Sequence, residues 1–257
     1  MSELNFTKMH GLGNDFVMLK GPLEITTETI ATLCDRHTGI GADGLIIVST
    51  EKDFVKMEYW NADGSVAEMC GNGLRCVTRF AVENKLAMPG IFSIQTGAGM
   101  LEVSWSGKDE DNIEVQVGKV VTEDNPINIQ GEEFYIANVG NPHAITIVPD
   151  TDSAPVTSLG PKIEIDAHFP NKTNVEFVQI VDESHAKLRI WERGVGETLA
   201  CGTGMVSTAM VLKKLGKTKL PITVEVPGGK AFIQLDDEGY SRISGPAVNV
   251  FNGSINI

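Results

Sequence analysis

Two stretches decide how this chain folds: Trp60-Asn-Ala-Asp-Gly-Ser-Val-Ala-Glu-Met-Cys70-Gly-Asn-Gly73 and Trp191-Glu-Arg-Gly-Val-Gly-Glu-Thr-Leu-Ala-Cys201-Gly-Thr-Gly204. In each, a tryptophan stands ten residues before a Cys-Gly-x-Gly. A repeat of this length is too long for a solenoid and points to duplication of a whole unit. The likeness continues downstream. Leu74, Val77, Phe80 and Ala81 recur at helical spacing, as do Val206, Ala209, Met210 and Leu212. Strand-like runs then begin 21 residues after each cysteine, at Ile91–Gln95 and Ile222–Val226. Glycines follow both runs, and second strands over Met100–Trp105 and Ala231–Leu235 complete two hairpins.

Each half therefore reads as strand, glycine-rich turn, cysteine, helix, hairpin. The expected fold class is α+β: two pseudo-symmetric α/β lobes with the active site in the cleft between them. Polar residues and Pro126 mark a linker over Val120–Gly131. The lobes are expected to span 1–120 and 121–246, with 247–257 returning to the first through a strand at Ala247–Phe251. Upstream, Asn14-Asp-Phe-Val17 is loosely echoed by Asn174-Val-Glu-Phe-Val178.

Composition narrows the function. The chain has 257 residues and a net charge of −13, which repels a phosphate backbone and argues against nucleic acid as a partner. No run of eighteen apolar residues exists, so no membrane span is expected, and Met1–His10 lacks the pattern of a secretory signal. A cytoplasmic, reducing location is expected. The four cysteines, Cys34, Cys70, Cys76 and Cys201, are then expected as free thiols. No C-x-x-C pair occurs and no metal site is expected. Gly39-Ile-Gly-Ala-Asp-Gly44 matches a dinucleotide fingerprint, but the apolar run Leu45–Val48 follows the glycines where a helix is needed, so the stretch reads as a turn.

Cys34 and Cys76 read as small core residues. Cys70 and Cys201 each precede a helix, where unpaired N–H groups carry partial positive charge. That setting is expected to lower a thiol pKa and to bind a carboxylate. On opposite sides of one cleft, a thiolate and a thiol suit the inversion of a carbon: one removes a proton from one face, and the other returns one to the opposite face. Donors at the helix starts would stabilise the carbanion as an enediolate, with no electron-sink cofactor.

From end to end the chain resembles the diaminopimelate epimerase family. The resemblance lies in Met9-His-Gly-Leu-Gly-Asn-Asp-Phe16, Arg36-His-Thr-Gly-Ile-Gly-Ala-Asp43, Asn61-Ala-Asp-Gly-Ser65, Cys70-Gly-Asn-Gly-Leu-Arg-Cys76, Gly140-Asn-Pro-His143, Asn174 and Glu192 to Gly204. It implies lobes that each wrap a sheet around a central helix. It also implies a homodimer and a pyridoxal-independent isomerase that interconverts LL- and meso-diaminopimelate, a step toward lysine and peptidoglycan. By the same resemblance Cys70 and Cys201 are the acid/base pair, and His143 and Glu192 help set their protonation. The reacting carboxylate falls to Gly71, Asn72, Gly202 and Thr203. The distal end of the substrate falls to Asn14, Asn61, Asn141, Asn174 and Arg193. Gly44 stands where some members carry a polar residue. Arg75 and Glu197 lie inside the motifs with structural and functional roles both open. The alternative reading is a cofactor-independent racemase of another amino acid, such as histidine or proline. A phenazine-type isomerase without the cysteine pair, and a non-catalytic amino-acid binding module, are further rivals.

Overall fold

The computed structural model describes residues 3–52 and 54–256. In chain order its elements begin with β1 (Glu3–Gly11), β2 (Asn14–Lys20), α1 (Thr27–Cys34), β3 (Gly44–Glu51), β4 (Phe54–Asn61) and β5 (Val66–Ala67). Next come α2 (Gly71–Glu83), β6 (Gly90–Thr96), β7 (Gly99–Trp105) and β8 (Ile113–Gly118). Then follow β9 (Val121–Thr122), β10 (Ile127–Ile129), β11 (Glu132–Asn138), β12 (Pro142–Ile147), α3 (Val156–Glu164) and β13 (Asn174–Asp182). The chain ends with β14 (His185–Glu192), β15 (Gly196–Thr198), α4 (Gly202–Lys214), β16 (Ile222–Val226), β17 (Gly229–Leu235), β18 (Ser241–Gly245) and β19 (Val248–Asn256).

These elements form two compact units, Met1–Val115 with Gly245–Ile257, and Gln116–Ser244. β19 pairs antiparallel with β1 in the first unit. The stretch expected as a linker is instead partly ordered into the second unit, because β9 and β10 both pair with β11.

In the first unit β2 runs parallel to β3, β3 antiparallel to β4, and β4 antiparallel to β5 and parallel to β6. In the second, β12 runs parallel to β13, β13 antiparallel to β14, and β14 antiparallel to β15 and parallel to β16. The pattern repeats strand for strand. α2 lies against β1, β2, β3, β4 and β7, and α4 against β11, β12, β13, β16 and β17. Both helices are buried over most of their length: α4 with apolar residues around its axis, α2 with Asn72, Arg75 and Thr78 among its buried residues. A second helix covers the other face of each sheet. Ile30 and Leu33 of α1 join Leu45 and Ile47 of β3 in one core, and Val156 and Ile163 of α3 join Val175 and Phe177 of β13 in another. Strands buried on both faces read as unbroken apolar runs, as Leu45-Ile-Ile-Val48 does.

The registers fix which residues correspond. Phe16 lies opposite Gly44, as His143 lies opposite Asn174. Leu45 lies opposite Trp60, as Val175 lies opposite Trp191. Asn14 therefore matches Asn141, Gly44 matches Asn174, Ile46 matches Glu176 and Asn61 matches Glu192. The echo between Asn14 and Asn174 read from the letters is thus corrected: Asn14 opens β2, and Asn174 opens the strand equivalent to β3.

Candidate active site

Cys70 and Cys201 occupy the N-cap positions of α2 and α4, both in extended backbone conformation. The first intrahelical bonds run from Leu74 N to Cys70 O (2.7 Å) and from Met205 N to Cys201 O (2.9 Å). The N–H groups of Gly71, Asn72, Gly202 and Thr203 precede them and have no helical acceptor. Such groups suit a carboxylate.

In the first unit Cys70 is half-buried, and its Sγ donates to Asn14 Oδ1 at 3.3 Å. The same oxygen accepts from Asn72 Nδ2 at 3.3 Å. Asn72 is fixed in turn by Arg75, whose Nη2 donates to Asn72 Oδ1 at 2.7 Å. Arg75 is fully buried inside α2 and also donates to the carbonyls of Gly71 and Pro246. Its role is to brace the helix start.

Asn14 is held from behind. Its Nδ2 donates to Asp43 Oδ2 at 2.8 Å. Arg36 bridges Asp43 and Asp15, at 2.7 Å to each, and Lys8 reaches Asp15 Oδ2 at 2.6 Å and the Gly41 carbonyl. Burial pushes the Asp15 carboxyl up, but the hydrogen bonds from Arg36, Lys8 and Asp43 outweigh it and hold Asp15 well below the usual carboxylate range. Asn61 lies at the end of β4, accepts from Tyr59 Oη and donates to Ser65 Oγ at 3.0 Å. Gly44 has a packing reason: a Cβ there would lie 2.5 Å from the Trp60 carbonyl oxygen.

In the second unit Cys201 is buried with its Sγ 3.3 Å from Thr203 Oγ1. Thr203 accepts from Asn141 Nδ2 at 3.3 Å, and Asn141 Oδ1 lies 3.1 Å from His143 Nε2. Glu192 shares a hydrogen bond with Cys201 and accepts from Thr198 Oγ1 at 2.5 Å. Asn174 donates to the Pro142 carbonyl and accepts from Arg193 N at 3.0 Å. The Arg193 side chain is exposed, with Nη1 on the Asn171 carbonyl. Glu197 pairs with Arg189 at 2.7 Å, a bond between neighbouring strands.

The expectation of a lowered thiol pKa is corrected for Cys201. Burial pushes the thiol well up, and negative charge on Glu192 or Glu176, whenever either is ionised, pushes it further; Thr203 and the Gly204 N–H act in the opposite sense and lose. Burial also raises Glu192, against hydrogen bonds from Thr198 and Cys201. Cys34 and Cys76 are buried, and burial pushes them up to about 11 and about 12.

One residue at this site was missed from the sequence. Glu176, on β13, is completely buried with Oε1 2.6 Å from His143 Nδ1. The available signal was a lone acid between the apolar neighbours Val175 and Phe177 of a strand buried on both faces.

Comparison with solved structures shows the class. A phenazine biosynthesis protein from Bacillus anthracis superposes with a TM-score of 0.80 over all of both chains at 16% identity. A probable proline racemase from Agrobacterium radiobacter does so with 0.74, over 99% of this chain and 93% of the other, at 12% identity. The two repeated units thus form the fold that these proteins share. Within that class the assignment is specific. The sequence model of diaminopimelate epimerase matches residues 6–123 and 135–250. The enzyme of that name from Halothermothrix orenii is 42% identical over 98% of both chains. That from Methanococcus maripaludis is 39% identical over 99% of this chain and all of the other. The chain belongs to the diaminopimelate epimerase family and is an isomerase. No helix among the described residues is long and apolar enough to cross a membrane.

Proposed function

We propose that Cys70 and Cys201 are the acid and base that interconvert LL- and meso-diaminopimelate, one on each face of the reacting α-carbon. A thiolate removes the α-proton. The bond electrons pass into the carboxylate, forming an enediolate held by the N–H groups of Gly71, Asn72, Gly202 and Thr203. The other thiol delivers its proton to the opposite face, and the two sulfurs exchange states. Burial favours the thiol form of Cys201, so it serves as the acid for the isomer that meets the resting enzyme. His143 and Glu192 adjust the sulfur protonation. Asn14, Asn61, Asn141, Asn174 and Arg193 hold the distal end, where a guanidinium and amides match an ammonium–carboxylate pair.

The observation that carries this reading is the duplicated Trp-to-Cys-Gly-x-Gly unit, with a cysteine at the head of each buried helix. We also read the chain as cytoplasmic, in keeping with four free thiols, and as a homodimer, in keeping with the exposed Val250 and Phe251 on β19. A sedimentation run showing only monomer at enzyme-assay concentrations would remove the dimer.

The test of the chemistry is turnover of LL-diaminopimelate in deuterium oxide. Solvent deuterium should enter the α-position of the product, and Cys70→Ala or Cys201→Ala should each abolish this. Full two-way turnover by either variant would refute the two-base scheme. Activity on histidine or proline but not on diaminopimelate would favour the racemase alternative.

A further inference from the structure

The buried carboxylate of Glu176 has no part in the scheme above. The internal repeat supplies a control for what the fold itself requires at that place. In the first unit the residue equivalent to Glu176 is Ile46, and the residue equivalent to His143 is Phe16. A methyl group on Gly73 of α2 would touch Ile46 Cδ1 at 3.0 Å and Phe16 Cζ at 3.5 Å. In the second unit a methyl group on the equivalent Gly204 would meet Glu176 Oε1 at 2.7 Å. Same strand, same face, same glycine beneath: an apolar pair fills the position once, and a carboxylate with an imidazole fills it the second time. Packing does not call for the carboxylate, and burying one is costly.

Resting on the reading of His143 as a group that sets thiol protonation, we infer that Glu176 is a positioning residue that fixes the tautomer of His143 and, through it, the direction of the hydrogen bonds that reach Cys201. Glu176 Oε1 sits 2.6 Å from His143 Nδ1, and its Oε2 has no hydrogen-bond partner. An ionised carboxylate would leave a charged oxygen bare, so the protonated acid suits the site; burial raises this carboxyl, against the pull of His143. The acid O–H then donates to Nδ1, and Nε2–H donates to Asn141 Oδ1. That orients the Asn141 amide so that Nδ2 donates to Thr203 Oγ1, and leaves the threonine hydrogen for Cys201 Sγ. The chain of bonds ends on the sulfur as a donor, which favours the thiolate at the moment it is needed. The titratable groups around Glu176 are His143 from β12, Glu192 from β14 and Cys201 at the head of α4.

The experiment is Glu176→Met, which keeps the length of the side chain and removes the donor to Nδ1. Turnover should fall by about 100-fold, as expected for a displaced catalytic neighbour, with KM nearly unchanged and one limb of the pH–rate profile displaced, whereas Glu176→Gln, whose amide N–H can donate to Nδ1 in place of the acid, should recover most of the activity. The nitrogen-15 signals of His143 should show a single neutral tautomer in the parent and in Glu176→Gln and a mixture in Glu176→Met. The double variant His143→Phe/Glu176→Ile, a copy of the first unit, should fold and be inactive. Parent-like turnover, pH profile and imidazole signals in Glu176→Met would overturn the inference. If that variant does not fold, the parent decides: nitrogen-15 signals of a mixture of both neutral tautomers at His143 overturn it. Full activity in His143→Gln would instead refute the role of His143, whereas loss there with none in Glu176→Met refutes only the inference about Glu176.

Discussion

Gly204→Ala tests how tightly the second unit is built. The new Cβ would lie 2.7 Å from Glu176 Oε1, 3.4 Å from Cys201 Cβ and 3.5 Å from its Sγ. Ordinary contact begins near 3.4 Å, so the carboxylate must retreat by 0.7 Å (3.4 − 2.7). A retreat of that size directly away from His143 would stretch their 2.6 Å contact to 3.3 Å (2.6 + 0.7) and weaken the bond. Alanine gains about 1 kcal/mol of helix propensity over glycine, and overpacking costs about 1–3 kcal/mol. The net loss runs up to about 2 kcal/mol, or a melting-temperature drop of up to roughly 8 °C at 2–4 °C per kcal/mol. Turnover should fall by about 10- to 100-fold as the His143 ring shifts. Gly73→Ala is the control for stability. There the obstacle is Ile46 Cδ1 at 3.0 Å, the end of a side chain that can rotate away, so the melting temperature should hold or rise. Calorimetry with the deuterium assay reads both. A Gly204→Ala protein that is more stable than the parent and fully active would refute the reasoning, since it would mean that Glu176 is free to move.

Two further outcomes are expected. Iodoacetamide at pH 8 should label Cys70 first, because it is half-buried while burial keeps Cys34, Cys76 and Cys201 as thiols; peptide mass spectrometry showing Cys76 labelled as fast would contradict this. Asp15 has a folded pKa below its unfolded one, so its stabilisation is complete above about pH 4 and is lost as the pH falls toward the folded value. Asp15→Asn should therefore cost about 2 kcal/mol at pH 7 and show a flatter loss of stability between pH 5 and 2. Denaturation midpoints identical to the parent at every pH would refute it.

The repeat was legible because its signals are local. Trp-to-Cys spacing, the helical apolar pattern and the strand after it all lie within one unit, and β16 runs over the expected Ile222–Val226. Short strands were not legible. β9 and β10 have two and three residues, too few to show a period, and both are made by their pairing with β11. The correspondence of Asn14 with Asn141 was hidden because register, not letter similarity, sets it. Glu176 escaped for a related reason: only the burial of both faces of β13 turns an ordinary acid into an anomaly. The thiol of Cys201 went against expectation because the helix start, visible in sequence, is opposed by burial, which only the packing of α4 against the strands of its unit creates.

The pairing of β1 with β19 joins Glu3 to Asn256 across nearly the whole chain. A ribosome makes every segment of the second unit before it makes the strand that completes the first. Until then β1 presents an unpaired edge, the kind that recruits foreign strands. The molecule's exposure to aggregation is therefore concentrated in the interval of synthesis, before β19 emerges to cover the edge of β1.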